Sequence, residues 1–255
     1  MLTKKIFRIA LVPVAVLTAV VIIWQVRGQQ QAAPVAAEVG VVSENTATQA
    51  AAPQRIVLAQ ANTAGAGRQF ELGEDYERLT PAQPTSSGPE QIEVAEVFWY
   101  ACPHCYTFDP YLESWKENLP GDVSFVRIPV LWAGIHQMHA RIYYTAETLN
   151  KLDEMHADVF REIHVNRNGL DNAAAIGSFF ENYGVDAATF DSTFESFAVY
   201  TKLQRADELA RRYRISSVPT IIVNGKYTTS ATMAGSYPRL LEVIDELIDM
   251  ERAGE

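Results

Sequence analysis

The chain has two cysteines, Cys102 and Cys105, and only two residues separate them. The run before them, residues 92–100, is rich in Val, Ile, Phe, Trp and Tyr and predicts a buried strand. The run after them, residues 105–118, predicts a helix. The pair therefore lies at a strand-to-helix turn with Cys102 at the helix N-terminus, where unpaired N–H groups and the helix dipole lower a thiol pKa. His104 adds a donor or a positive charge.

A Cys-x-x-Cys pair has two other interpretations. A structural zinc site needs four ligands, and the sequence offers no second cysteine pair. A metal-binding protein that uses Cys102, Cys105 and histidine stays open, and the histidines available to it are His136, His139, His156 and His164. A purely structural disulfide is a weak device, because so short a loop removes little chain entropy. The pattern favours a redox-active dithiol and no bound metal.

Residues 1–27 predict a signal anchor or a signal peptide. They hold no acidic residue and four bases, Lys4, Lys5, Arg8 and Arg27. Between the bases, Ile9 to Trp24 is an uncharged, largely apolar run of 16 residues, long for a signal-peptide core and slightly short for a spanning helix. The bases predict a cytoplasmic N-terminus with the rest exported. Cleavage near Ala33 or Ala37, giving a soluble periplasmic protein, is the alternative.

The composition changes after this segment. Residues 28–68 are mainly Gln, Ala, Val, Thr, Gly and Asn without sustained periodicity, and they predict a disordered linker. The first 27 residues carry four positive charges and the linker is neutral, so the net charge of −10 leaves −14 for residues 69–255. So acidic a domain argues against a nucleic-acid partner.

The folded part begins near Gln69 and first predicts a βαβ unit. A short edge strand is expected within residues 69–79, a strand at 92–100, and a helix at 102–118 that is kinked near Pro110. A second strand at 123–129 completes a unit with parallel strands.

The remainder predicts a helical block and then a return to the sheet. Helices are expected at 136–149, 151–164, 172–183, 187–197 and 201–213, with Asp171 and Asp186 as N-caps. Their phenylalanines, Phe179, Phe180, Phe190, Phe194 and Phe197, are expected to be core. Residues 218–223 and 226–229 predict a hairpin around Asn224-Gly225, and residues 236–250 a closing helix.

Three features carry a family resemblance when taken in order. They are Cys102-Pro103-His104-Cys105 at the strand-to-helix turn, the long helical block, and Val218-Pro219 opening a late strand. Further motifs are Phe70-x-Leu72-Gly73 with Tyr76, and Val223-Asn224-Gly225-Lys226-Tyr227. Over residues 69–250 the chain resembles the DsbA-type disulfide oxidases, which have a thioredoxin fold. Its hydrophobic start and long linker are not typical of the soluble members.

The resemblance implies an α/β chain with a thioredoxin fold and an inserted all-helical subdomain, preceded by an N-terminal hydrophobic helix and a disordered linker. Residues 1–27 and 28–68 would be the helix and the linker, 69–130 and 214–255 the two parts of the thioredoxin-like domain, and 131–213 the inserted subdomain.

The resemblance also implies roles for individual residues. Cys102 would be the nucleophile and Cys105 its buried partner, with Pro103 and His104 tuning the pair. Pro219 would be a cis proline facing the disulfide, and Val218 would offer backbone groups to an extended substrate. Without the resemblance, a trans proline that starts an edge strand is the favoured interpretation of Pro219. The family keeps charged residues beneath the active site, and the matching positions are Glu96, Asp109 and Arg127. Glu96 would relay the proton of Cys105. A solvated helix face for Asp109 and a strand end for Arg127 are the alternatives.

The implied function is thiol-disulfide exchange in the periplasm, with donation of the Cys102–Cys105 disulfide to reduced exported proteins. No cofactor other than this disulfide is implied, and the family's recharging partner is a quinone-linked membrane oxidase of the DsbB type. A reductase or isomerase on the same fold is an alternative, although the absence of other cysteines argues against an isomerase.

Overall fold

The computed structural model describes residues 69–254. The predicted hydrophobic helix and linker, residues 1–27 and 28–68, lie outside the described residues. No helix within residues 69–254 is both long enough and apolar enough to cross a bilayer. The elements in chain order are β1 (Glu77–Arg78), β2 (Ile92–Phe98), α1 (Pro103–Lys116), β3 (Val123–Pro129), α2 (Gly134–Thr148), α3 (Leu152–His164), α4 (Ala173–Glu181), α5 (Ala187–Phe194), α6 (Phe197–Arg212), β4 (Thr220–Val223), β5 (Tyr227–Thr229), α7 (Ala231–Ala234) and α8 (Tyr237–Ala253).

The strands form one mixed sheet in the order β1-β5-β4-β2-β3. The pair β2 and β3 is parallel, as the predicted βαβ unit requires, and the other neighbours are antiparallel. Six of the seven residues of β2 are buried, because this central strand is covered on both faces. The helices α2–α6 stand between β3 and β4 in the chain. This arrangement confirms the predicted α/β class, a thioredoxin fold interrupted by helices, while the boundaries of the inserted subdomain stay a prediction.

The hairpin between β4 and β5 has the backbone that its sequence predicts. Asn224 and Gly225 both have positive φ, 48° and 63°, which a two-residue type I′ turn requires. The glycine has a second reason to be there, because a Cβ at this position would collide with the carbonyl oxygen of Gln83. The Gln83 N–H donates to the Gly225 carbonyl at 2.8 Å, so the connector before β2 is tied to this turn.

The helices of the helical block differ from the predicted ranges by up to four residues at their ends, and the largest differences are the end of α5 and the start of α6. Helix α4 is capped by Asn172, whose side chain accepts from the Ala175 N–H at 2.9 Å, and not by Asp171. Asp186 caps α5 as predicted. Helix α5 ends at Phe194, and α6 begins three residues later, because the Ser196 hydroxyl caps it by accepting from the N–H of Val199.

This early start of α6 also explains a wrong prediction about the core. Phe197 is 81% exposed, whereas the other four phenylalanines are buried. Phe197 is the first residue of α6, and its ring lies next to that of Tyr200 with a centroid distance of 6.4 Å.

The core lies on both sides of the sheet. One cluster joins β2 and the end of β3 to helices α2–α6, and the other packs α1 and α8 against the sheet. In β2, Ala95 and Val97 belong to the first cluster and Val94 to the second, as the alternation of side chains in a strand requires. The strand therefore fixes the start of α1, and with it the cysteines, against both cores.

Candidate active site

Both cysteines lie at the junction of β2 and α1, Cys102 just before the helix and Cys105 in its first turn. Cys102 is the N-cap of α1, Pro103 occupies the first helical turn, and the N–H of Cys102 donates to the Trp99 carbonyl at 3.0 Å. Proline suits this position because its fixed φ fits the first turn and it has no N–H to leave unpaired. Both residues are free thiols, Cys102 with 7% of its surface exposed and Cys105 with none. Of the two sulfurs, only that of Cys102 is within reach of another molecule.

The fold polarises the two thiols in opposite directions. A hydrogen bond from the Cys105 thiol is the largest influence on Cys102, and together with the N–H groups of Cys105 and His104 it lowers the pKa of Cys102 to about 6, against the opposing effect of burial. Burial raises the pKa of Cys105 far above its usual range, and the carboxylate of Glu96 raises it further. Cys102 is therefore the thiolate at neutral pH and Cys105 the thiol.

The loop before β4 closes over this pair. The Val218–Pro219 peptide bond is cis, the conformation that the resemblance implied. The Cys102 sulfur lies 3.5 Å from the Val218 carbonyl oxygen. An extended chain that paired with the backbone of Val218 would pass beside the reactive sulfur.

A residue that sequence reasoning missed supports the turn from α8. The Tyr237 hydroxyl donates to the His104 carbonyl at 3.2 Å, and its ring stacks on Phe108 with centroids 5.1 Å apart. The two hydrogen-bonded residues are 133 positions apart, so no local pattern links them. The contact pins the first turn of α1 to the closing helix.

The three charged residues beneath the cysteines come together. Arg127 donates from Nε to Glu96 Oε2 at 2.9 Å and from Nη2 to Asp109 Oδ1 at 2.8 Å. It also donates to Glu113 Oε1 at 2.7 Å, a partner that the sequence did not suggest. The Arg127 and Asp109 side chains are each only 7% exposed, and Arg127 lies inside β3. The alternatives, a solvated helix face for Asp109 and a strand end for Arg127, are therefore wrong. Glu96 and Arg127 are also direct partners in the β2–β3 register.

The carboxyl of Glu96 is held in a state that can exchange a proton near neutral pH. Burial raises the pKa of Glu96 to about 7, although the charge of Arg127 opposes the shift. Its Oε1 atom is buried and has no hydrogen-bond partner among the described residues. Asp109 behaves differently. Despite burial, the hydrogen bond from His156 and the charge of Arg127 hold the pKa of Asp109 below its ordinary value.

The histidines that a metal site would need serve other contacts. His156 bonds Asp109 and Tyr100, His164 lies 2.8 Å from the Tyr100 carbonyl, and His136 packs on Trp99 with ring centroids 4.3 Å apart. His139 bonds the carbonyl of Gly169. Within residues 69–254 no three His, Cys, Asp or Glu side chains form a group that could hold a metal ion.

A cavity of about 750 Å³ lies between β3 and the helical block. Asp109, Arg127 and His156 line it, and neither cysteine does. Solvent in this cavity therefore reaches the charged residues from a side other than that of the sulfurs.

A thioredoxin fold that holds a polarised Cys-x-x-Cys pair at a helix N-terminus beside a cis proline defines a thiol:disulfide oxidoreductase. Residues 93–243 match the DSBA-like thioredoxin domain, and the chain belongs to this family. The thiol:disulfide interchange protein DsbA of Pseudomonas syringae pv. tomato is 42% identical over 191 residues, which are 75% of this chain and 89% of that protein.

Solved structures agree with this assignment. The crystal structure of Pseudomonas aeruginosa DsbA superposes with a TM-score of 0.69 at 39% identity, covering 72% of this chain and 96% of that one. The oxidoreductase DsbA from Xylella fastidiosa gives a TM-score of 0.69 at 31% identity, covering 73% of this chain and 100% of that one.

Proposed function

We propose that this oxidoreductase donates a Cys102–Cys105 disulfide to reduced exported proteins in the periplasm. The observation that carries the proposal is the opposite polarisation of the two thiols. A low-pKa Cys102 is a good leaving group and is stabilised once reduced, so the disulfide it forms with Cys105 is readily given away. The similarity of the chain to proteins named thiol:disulfide interchange protein DsbA also supports disulfide exchange as its reaction.

The exchange proceeds in two steps that conserve electrons and protons. A substrate thiolate attacks the sulfur of Cys102, the Cys102–Cys105 bond breaks, and Cys105 leaves with the electron pair and takes up a proton. A second substrate thiolate then attacks the substrate sulfur of this mixed disulfide and releases Cys102 as a thiolate. Two electrons pass from substrate to the pair, and no other cofactor is needed.

The remaining site residues have roles in the same scheme. Glu96, with its carboxyl poised near neutrality, would supply the proton that Cys105 takes up, and Arg127 and Asp109 would hold it in place. Pro103 and His104 tune the thiolate through the helix N-terminus and the His104 N–H. Val218 and Pro219 would bind the substrate backbone beside the sulfur.

Each donation leaves the pair reduced, so a partner must remove two electrons. We assign this to a quinone-linked membrane oxidase of the DsbB type. The assignment follows from the resemblance of the Cys102-Pro103-His104-Cys105 site.

The location of the enzyme follows from its first residues. The run Ile9–Trp24 would stay in the chain and tether the domain to the periplasmic face of the inner membrane, because the cleavage signals beside it are poor. The 41 residues from 28 to 68 would have an r.m.s. span of roughly 32–38 Å as a flexible chain. Such confinement raises the effective concentration of a membrane-bound recharging partner.

The experiment that tests the proposal mixes the oxidised full chain with a reduced two-cysteine peptide. We expect one peptide disulfide to form for each chain reduced, measured by thiol labelling and mass spectrometry. The Asp186→Asn variant alters only a helix cap in the helical block and is the matched control. A peptide that stays reduced while the chain keeps its disulfide would contradict disulfide donation.

A further inference from the structure

A series of buried hydrogen bonds connects the active-site turn to Glu96. It passes through His156, which has no role in the exchange steps described above. His156 lies on α3, packed among the rings of Phe98, Tyr143 and Phe160 at centroid distances of 5.2–6.3 Å. Its Nδ1 lies 2.8 Å from the Tyr100 hydroxyl and its Nε2 3.1 Å from Asp109 Oδ1. A histidine surrounded by aromatic rings and bonded at both nitrogens is held in one orientation.

The partners fix the tautomer. An ionised carboxylate can only accept, so His156 Nε2 carries the proton and donates to Asp109. The neutral ring then accepts at Nδ1 from the Tyr100 hydroxyl. Burial, together with the charge of Arg127, lowers the pKa of His156 and favours this neutral form. In this neutral state both ring nitrogens of His156 and both of their partners are hydrogen-bonded.

The oxygen that His156 binds is the same oxygen that Arg127 binds. Asp109 Oδ1 accepts from His156 Nε2 and from Arg127 Nη2, while Arg127 Nε donates to Glu96. We propose that His156 is a positioning residue for the redox pair. Its N–H on Asp109 keeps Arg127 shared with Glu96, and this sharing sets the pH dependence of the Cys102–Cys105 couple. The inference rests on the proposed disulfide exchange.

The direction of the effect follows from the groups that compete for Arg127. Glu96 faces Arg127, Asp109, Glu113 and the thiol of Cys105. His156 faces Arg127, Asp109, Glu113, the hydroxyl of Tyr100 and the ring of Tyr143. Without the His156 donor, Asp109 keeps its charge but loses one of its two hydrogen bonds.

Asp109 then draws Arg127 toward itself, and Glu113 holds the guanidinium on the same side. Glu96 is left with a weaker hydrogen bond in a buried position. Its carboxylate is less stabilised, so Glu96 titrates at a higher pH.

The test is the reduction potential of the full chain, equilibrated with glutathione buffers from pH 5 to 9. The slope of potential against pH changes where Glu96 titrates, and Glu96→Gln identifies that change by removing it. We expect His156→Phe to move the change upward by about one pH unit, a tenfold change in proton affinity. His156→Gln keeps an N–H donor, so the pH at which the slope changes should return toward the wild-type value.

His139→Phe is the matched control, since His139 is also buried in the helical block but, within residues 69–254, its ring hydrogen-bonds only the Gly169 carbonyl. His139→Phe should not change the pH at which Glu96 titrates. Near-ultraviolet circular dichroism checks that each variant is folded. An unchanged profile in His156→Phe, or an equal shift in His139→Phe, would overturn the role of His156. A wild-type chain without a reversible thiol couple would instead overturn the proposed function together with this inference.

Discussion

Arg127 Nε lies 2.9 Å from Glu96 Oε2, and the two residues face each other in the ladder of β2 and β3. The pair is buried, so neither charge is compensated by bulk water. The backbone register alone brings the cation to the carboxyl beneath Cys105. Placing the guanidinium between three carboxylates then lets it hold Asp109 and Glu113 ionised while Glu96 stays near its titration point.

Removing the cation should destabilise the domain strongly. In Arg127→Met, Asp109 and Glu96 are left buried without a counter-charge, and we expect a loss of about 3–5 kcal/mol in the free energy of unfolding. Arg127→Lys keeps the charge but loses the planar set of donors, so its free energy of unfolding should lie between those of the wild type and Arg127→Met. Urea unfolding at pH 7 measures both. A loss under about 1 kcal/mol in Arg127→Met would show that the ion pairs are dispensable.

The two cysteines should behave differently when each is replaced. Cys102→Ser removes the more accessible of the two sulfurs and should abolish transfer, whereas Cys105→Ser removes the resolving thiol and should accumulate mixed disulfides with substrate. The reason is the burial of Cys105 and the low pKa of Cys102. Non-reducing gels of cells producing each variant measure the trapped species. Trapping by Cys102→Ser instead would reverse the assignment.

The stability of the reduced protein should depend on pH through the two thiols. The folded pKa of Cys102, about 6, lies below the unfolded value of about 8.5, so its contribution is fully present above pH 8.5 and is lost as pH falls through 6. Between pH 5 and pH 8 this amounts to roughly 2–2.5 kcal/mol. Above pH 8.5 the raised pKa of Cys105 acts in the opposite sense, because only the unfolded chain then ionises that thiol.

The measurement is the difference in unfolding free energy between the reduced and oxidised forms, made in the Glu96→Gln variant as well as the wild type. Groups that do not interact with the thiols cancel in this difference, and the substitution removes the titration of Glu96, which does interact with Cys105. The short disulfide loop contributes about 2 kcal/mol to the oxidised form at every pH on the chain-entropy model. The oxidised form should therefore be the more stable at pH 5, and the reduced form should overtake it above neutrality. A difference that does not vary between pH 5 and 8 would contradict a stabilised thiolate.

The tether predicts where the mature protein is found. We expect it in membranes washed with alkaline carbonate, with the Ile9–Trp24 run still present on N-terminal sequencing. The control is a double variant, Ile22→Ala with Trp24→Ala, which creates a small-x-small cleavage signal and should release the domain. Recovery of the unmodified chain in the soluble periplasmic fraction, beginning after Trp24, would rule the tether out.

Local patterns in the sequence were sufficient for the elements that carry the site. The apolar run of β2, proline after Cys102, and Asn224-Gly225 each act within a few residues, and the strand-helix turn and the hairpin are where they predict. The exposure of Phe197 could not be predicted, because an apolar residue at the first position of a helix can face either the core or solvent.

The parts of the site that sequence reasoning missed depend on distant contacts. His156 is 47 residues from Asp109 and 56 from Tyr100, and only the packing of α3 against α1 and β2 brings them together. Its sequence neighbourhood is that of an ordinary amphipathic helix, so the sequence indicates no role for this histidine beyond that of a possible metal ligand. Glu113 was missed for a similar reason. It lies one helical turn after Asp109, but its reach to Arg127 depends on where β3 packs against α1.

The central claim is that the fold stabilises the Cys102 thiolate and so makes its disulfide a donor. The most direct test is the reduction potential of the full chain at pH 7, measured against glutathione. A thiol pKa about one unit below that of thioredoxin predicts a potential roughly 30 mV or more above thioredoxin's value of about −270 mV. That lies above the potentials of about −300 mV and lower that are typical of structural disulfides in secreted proteins. A potential at or below that of thioredoxin would contradict the account.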